Sequence, residues 1–198
     1  MANFEINRLY IPENIRVVVF DLDSTLVECI EPKVAQHLHT AKQLDLSFTA
    51  TDVQTSWSKG SFTRLMNELY GQQSADAMQL IEEQYDEFPK TLYPDTLQTI
   101  KALREANIMR AILTSIKSRM VDRDFKATGL TRGHFDHLQT QEDTTKHKPD
   151  GAVFRPTKRW MISVGVNEPR DAMYVGDALE DMQAATRAGL GFVGIDRG

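Results

Sequence analysis

Short, uninterrupted apolar runs in this chain alternate with stretches whose apolar residues recur every three to four positions. Residues 17–20, Val17-Val18-Val19-Phe20, are apolar and mostly β-branched at every position, the pattern of a strand buried on both faces of a sheet. Similar runs at 109–114, 135–139, 171–175 and 191–195 predict four further strands. Helical spacing at 95–106, at 118–128, in a helix ending near Val164 and at 179–188 places helices between them. Such alternation is the sequence form of a parallel sheet covered by helices on both sides, so the expected fold is α/β, a doubly wound Rossmann-like sheet.

Between Leu26 and about Leu92 the pattern changes: no strand signal appears and the apolar spacing is helical. Phe62, Leu65, Met66 and Leu69 recur at i, i+3, i+4 and i+7, and Gly71 follows as a helix stop. Thr51-Asp52-Val53-Gln54 fits a capping box, and Ser74 is a candidate N-cap for a helix carrying Ile81, Tyr85 and Phe88. The expected organisation is an α/β core domain of residues 1–25 and 93–198 with a helical cap domain, 26–92, inserted into it. The insert leaves just after Asp23 and returns just before Tyr93-Pro94-Asp95, which places it above the end of the first strand as a lid. A helical decoration with no part in binding fits the same pattern.

Composition narrows the function. At 198 residues, 41% hydrophobic and 26% charged, the chain suits one globular domain or a domain with a large insertion. A net charge of −5 argues against a nucleic-acid binder, which needs a basic face to displace counterions. The start, Met1-Ala2-Asn3-Phe4-Glu5-Ile6-Asn7-Arg8, has no basic region leading into an apolar run, and no later stretch is long enough to span a bilayer, so a soluble, cytoplasmic protein with no membrane partner is expected. Cys29 is the only cysteine, which excludes an intrachain disulfide and a cysteine-built zinc site. His37 and His39 lack the spacing of a helical metal pair and read as surface histidines.

The candidate chemistry begins where the first strand ends. In Phe20-Asp21-Leu22-Asp23-Ser24-Thr25 two carboxylates follow a buried strand, and in extended backbone residues i and i+2 point the same way, about 6 to 7 Å apart. Ligands of open α/β sheets bind outside the carboxyl ends of the strands, so both acids face a crevice. Three other segments reach the same edge. Thr114-Ser115 ends a strand in hydroxyls before a helix, a phosphate cradle or a routine cap. Lys148 stands before Pro149 at a helix entry and supplies a counter-charge. Gly176-Asp177-Ala178-Leu179-Glu180-Asp181 turns from strand to helix with two aspartates at i, i+4. Four carboxylates at one site resist ionisation unless a cation is present, and all-oxygen donors point to a hard ion, magnesium first.

Asp21-Leu22-Asp23-Ser24-Thr25, Thr114 after a strand, Lys148-Pro149 and Gly176-Asp177-x-x-x-Asp181 resemble, in order and spacing, the four motifs of the haloacid dehalogenase-like hydrolase superfamily, in its phosphoglycolate phosphatase-like branch. The resemblance runs from about Val17 to Ile195. It implies a magnesium-dependent phosphatase of a small phosphorylated metabolite, in which Asp21 attacks phosphorus to form an aspartyl-phosphate and Asp23 acts as acid and then base. It further implies that Thr114, Ser115 and Lys148 hold the phosphoryl group, that Asp21, the backbone carbonyl of Asp23 and Asp177 ligate magnesium, and that Asp181 orients them. Four departures bear on it: Lys148-Pro149-Asp150-Gly151 lacks a second proline, Pro156 should make the following helix start late or kink, Ala178 replaces the hydroxyl often seen after the motif's first aspartate, and Ser24 stands where glycine is commoner. A phosphomutase keeps the same residues; a 2-haloacid dehalogenase lacks the second aspartate, and an inactive binding module would have lost one of them. For the substrate, Lys59 or Arg64, in the turn after Trp57, are candidates to meet a second anionic group.

Overall fold

The computed structural model describes residues 11–58 and 62–197. Among them the strands are, in chain order, β1 (Val17–Phe20), β2 (Val27–Glu28), β3 (Thr91–Leu92), β4 (Met109–Leu113), β5 (His137–Gln139), β6 (Ala172–Gly176) and β7 (Gly191–Gly194). The helices are α1 (Ile30–Gln43), α2 (Ala50–Ser58), α3 (Phe62–Tyr70), α4 (Ser74–Glu83), α5 (Thr96–Glu105), α6 (Ser118–Thr128), α7 (Arg155–Ser163) and α8 (Leu179–Ala188). Five strands form one parallel sheet in the order β5-β4-β1-β6-β7. The chain builds outward from β1 on one side and then returns to its other side, so the strand order reverses at the carboxyl end of β1, where such sheets bind ligands.

Burial explains the sheet. Val18 and Phe20 join Ile112 and Val175 on one face, covered by Ile100 and Leu103 of α5 and Val121 and Phe125 of α6. Val17 and Val19 join Ala111, Leu113 and Tyr174 on the other, covered by Met161 of α7 and by Ala184, Ala185 and Ala188 of α8. Apolar side chains on both sides of β1 require a continuously apolar strand, which is what its sequence offers. No helix among the described residues is long and apolar enough to cross a membrane.

The stretch between β2 and β3 folds as α1–α4, packed around Leu65, Met66, Tyr70 and Ala77. Helix α3 ends before Gly71, whose φ is +52°, as the spacing predicts. Several local expectations are corrected. The stretch does hold strand: Val27–Glu28 and Thr91–Leu92 pair as a two-residue antiparallel ribbon where the chain leaves and returns. The capping box lies two residues earlier than Thr51: the Asp52 carboxylate accepts from the Thr49 backbone N–H at 2.7 Å and the Thr49 hydroxyl accepts from the Asp52 N–H at 3.3 Å. An aspartate therefore does the work expected of Gln54. Ser74 does not cap α4; its hydroxyl donates back to the carbonyls of Gly71 and Met66, at 2.6 and 3.1 Å. Tyr85 and Phe88 lie beyond α4, which stops at Glu83 before a 3-10 turn at Tyr85–Glu87. His37 is not on the surface: it is 2% exposed, on the inner face of α1, with its Nδ1 2.8 Å from the Tyr70 hydroxyl. Nothing in the i, i+2 spacing of His37 and His39 could reveal this, because it depends on which face of α1 meets α3.

The region after β5 also departs from a simple helix entry. The Lys148–Pro149 peptide is cis, and Asp150 caps a 3-10 turn, Gly151–Phe154, by accepting from the Ala152 N–H at 2.9 Å. Helix α7 starts only at Arg155, with Pro156 in its first turn, where a missing N–H costs nothing.

Candidate active site

Asp21 continues the backbone of β1, its N–H donating to the Val175 carbonyl at 2.8 Å, so its side chain leaves the sheet at the point of strand-order reversal. Lys148, from the loop after β5, lies with Nζ 2.6 Å from Asp21 Oδ1 and 2.6 Å from Asp181 Oδ1. The ring of Tyr174 lies under this ammonium at 5.3 Å, and the Tyr174 hydroxyl is 3.2 Å from the Leu113 carbonyl and 3.3 Å from Asp181 Oδ1, a donor to either. Asp181 Oδ2 accepts from the Ala178 N–H at 3.2 Å, which ties the carboxylate to the start of its own helix. Asp177 precedes α8 and does not share its first turn as the i, i+4 spacing suggests; its Oδ1 is 3.5 Å from the Thr25 hydroxyl.

Asp21, Asp177 and Asp181 each offer a carboxylate oxygen, and the three lie within 4.8 Å of one another. Burial pushes the Asp21 carboxyl up to about 7; Lys148 opposes the shift and Asp181 adds to it. Asp177 is raised as well, by burial first and then by Asp181. Burial works against the Lys148 charge, yet Asp21 and its neighbours outweigh it and hold the ammonium protonated. A single lysine among three carboxylates leaves a negative excess, and oxygen donors so placed suit a divalent cation.

Asp23 sits in the opposite environment. Lys33 of α1 reaches Asp23 Oδ2 at 2.5 Å, and Lys90, on the segment returning into β3, reaches Oδ1 at 2.6 Å. Burial favours the neutral acid, but Lys33 and Lys90 overcome it and hold the Asp23 carboxyl well below the usual range. Lys90 also pairs with Asp124 of α6 at 2.8 Å, and the Tyr85 hydroxyl donates to the other Asp124 oxygen at 2.8 Å. Lys33 lies 4.0 Å over the ring of Trp57. Sequence reasoning missed Lys33, Lys90, Asp124 and Tyr85. The one available signal was that two acids at a strand end need cations, but the partners come from 10 and 67 residues away.

The other sequence candidates separate. Thr114 is buried directly after β4, its hydroxyl accepting from the Ile116 N–H at 3.4 Å, and Ser115 beside it is exposed. In the parallel register Phe20 lies opposite Ile112, which brings Thr114 to the same sheet edge as Asp21. Arg64 is on α3, exposed, with Nε 2.8 Å from Glu68 Oε1 one turn on. Lys59 lies outside the described residues.

Comparison with known proteins follows the same lines. The profile of a family described as haloacid dehalogenase-like hydrolase matches residues 18–195. A protein of Clostridium perfringens provisionally named pyrophosphatase PpaX is 29% identical over 189 residues, 91% of this chain and 84% of its own length. A phosphoglycolate phosphatase of Nitrosospira multiformis is 27% identical across 91% of this chain and 83% of its own. Among solved structures, a Bacteroides fragilis protein assigned to haloacid dehalogenase-like hydrolases superposes with a TM-score of 0.79 at 22% identity, covering 93% of this chain and 89% of that one, and it bears on fold alone.

Proposed function

Because the chain belongs to the haloacid dehalogenase-like hydrolases, we propose that it is a phosphatase hydrolysing a small phosphomonoester through an aspartyl-phosphate on Asp21, with magnesium as its cofactor. The observation that carries this reading is the meeting of Lys148 with Asp21, Asp177 and Asp181 at the carboxyl end of β1. Asp21, Asp177 and the backbone carbonyl of Asp23 would hold the ion, with Asp181 orienting Lys148 beside them. Bound there, magnesium supplies neutralisation of the phosphoryl oxygens.

In the first half-reaction an Asp21 oxygen bonds to phosphorus, the bond from phosphorus to the leaving oxygen breaks, and Asp23 gives that oxygen a proton. In the second, Asp23 takes a proton from water, the water oxygen bonds to phosphorus, and the bond from phosphorus to Asp21 breaks to release phosphate. Thr114, the Ser115 amide and Lys148 steady the phosphoryl oxygens throughout. Lys33 and Lys90 hold Asp23 in the ionised state that the second half uses. The first half requires an ammonium to move off it.

Relatives bear the names of pyrophosphatases and phosphoglycolate phosphatases, whose substrates carry a second anionic group beside the phosphoryl group. Lys59 and Arg64 are candidates to read such a group, and Arg64 would have to leave Glu68 to do so. Rapid quench with radiolabelled p-nitrophenyl phosphate tests the whole reading. The wild type should need magnesium and lose turnover in EDTA. Asp21→Asn should show neither turnover nor label. Asp23→Asn should accumulate hydroxylamine-labile label approaching one phosphate per active site. Label on a serine, threonine or histidine, or turnover retained by Asp21→Asn, would sink the aspartyl-phosphate route.

A further inference from the structure

We propose that Lys90 and Asp124 are positioning residues for Asp23: a buried relay, Tyr85–Asp124–Lys90–Asp23, fixes the acid/base carboxylate against core helix α6. The proposal deepens the phosphatase reading and rests on it. The Lys90 side chain is 3% exposed and that of Asp124 2%, so their 2.8 Å pair is sealed from water. Lys90 spends one N–H on Asp124 Oδ2 and another on Asp23 Oδ1, and both Asp124 oxygens are engaged, the second by the Tyr85 hydroxyl. Each link is thereby fixed by the next.

The two lysines on Asp23 differ in how they are held. Lys33 carries Asp23 at its tip and rests on the face of Trp57, with no second ion pair among the described residues. Lys90 is anchored at its far side by a charge in α6, a helix packed on the sheet. Lys33 is therefore the ammonium that can leave Asp23 during turnover, and Lys90 the one that stays. Stability alone accounts poorly for such a relay, since apolar side chains of similar volume commonly serve as well as a buried ion pair. Proton transfer supplies a better reason, because a carboxylate that must first protonate a leaving oxygen and then deprotonate water has to be placed to within a fraction of an ångström.

Positioning of an acid is read by how steeply the rate depends on the leaving group. For wild type, Lys90→Met, Asp124→Asn and the double variant Lys90→Met/Asp124→Leu, kcat/KM is measured for p-nitrophenyl phosphate and phenyl phosphate in magnesium, with thermal melting as the check on folding. A well-placed acid helps the poorer leaving group more, a general-acid effect of about 10²- to 10⁴-fold. The ratio of the two kcat/KM values, p-nitrophenyl over phenyl, should therefore rise at least tenfold in each single variant. In the double variant it should rise no further than in Lys90→Met, since the two residues act through one link. A ratio unchanged in folded variants overturns the proposal and leaves the phosphatase reading intact. If a single variant fails to fold, the double variant, which removes both charges, decides; its own failure to fold would make the relay structural and also overturn the proposal. A wild type with no turnover of either ester, or with label elsewhere than Asp21, overturns the phosphatase reading and this one with it.

Discussion

At the scale of single residues, Asp21 and Asp23 have the same side chain two positions apart and opposite surroundings. Asp21 shares one lysine with further carboxylates and is pushed up to about 7 by burial, while two lysines hold Asp23 low. The proposed roles need the reverse, an ionised nucleophile at Asp21 and a protonated acid at Asp23: a cation held by Asp21 and Asp177 would bring the Asp21 carboxyl down, and departure of an ammonium would let Asp23 carry its proton. His37, one turn along α1 from Lys33, shows the same physics. Burial, with Lys33 adding to it, lowers its pKa to about 4 from the ordinary 6.5. Above pH 6.5 the ring is neutral in both folded and unfolded chains, so its stabilising contribution is complete. As pH falls from about 6.5 to 4 the unfolded chain gains a proton that the folded one refuses, and stability is lost, by up to about 3 kcal/mol. Urea unfolding at pH 7 and pH 4.5 should show this loss in the wild type and a visibly smaller one in His37→Gln. Equal losses would mean that other groups carry the acid sensitivity.

At the scale of elements, the turn from β6 into α8 sets the position of Asp181. Gly176 ends β6, and a Cβ built on it would stand 2.6 Å from Asp181 Cγ and 2.8 Å from its Cβ, closer than side-chain carbons pack. A residue with any side chain at 176 must therefore push Asp181 aside, and Lys148 bonds to that carboxylate. Gly176→Ala should retain the fold yet lower kcat about 100-fold, the scale of loss for misplacing a reacting group by an ångström. Circular dichroism with steady-state kinetics checks it, and a fully active Gly176→Ala would mean that the turn yields more easily than its packing suggests.

At the scale of the molecule, both crossings between the sheet and helices α1–α4 are tied by Arg197. Its guanidinium donates to the Thr25 carbonyl at 2.7 Å on the outgoing crossing. On the return it lies 4.1 Å over the Tyr93 ring and 3.0 Å from Asp95 Oδ1. Asp95 is mostly exposed, so that ion pair adds little, and the carbonyl bond and ring contact carry the effect. Arg197→Ala should cost about 1 to 2 kcal/mol by urea denaturation, with Asp95→Ala costing clearly less. The reverse order would assign the clamp to the ion pair.

Much of this was legible along the chain. A strand buried on both sides must be apolar at every position, so β1 was readable to the residue, and helices α6 and α8 were bounded by their own periodicity. Asp21, Lys148, Asp177 and Asp181 could be brought together from sequence because all follow parallel strands or their loops, and parallel topology delivers those ends to one edge. The positions of Lys33 and Lys90 could not. With 23 lysines and arginines in the chain, nothing local distinguishes the two that reach Asp23, and Lys59 and Arg64 in a glycine turn looked better placed. The burial of His37 was equally hidden, since a helix's periodicity tells which residues share a face and not what that face meets. Local pattern determined the sheet and the acidic edge; the packing of α1 and of the segment returning into β3 on that edge decided which charges answer Asp23, because those contacts join residues that only the folded chain makes neighbours.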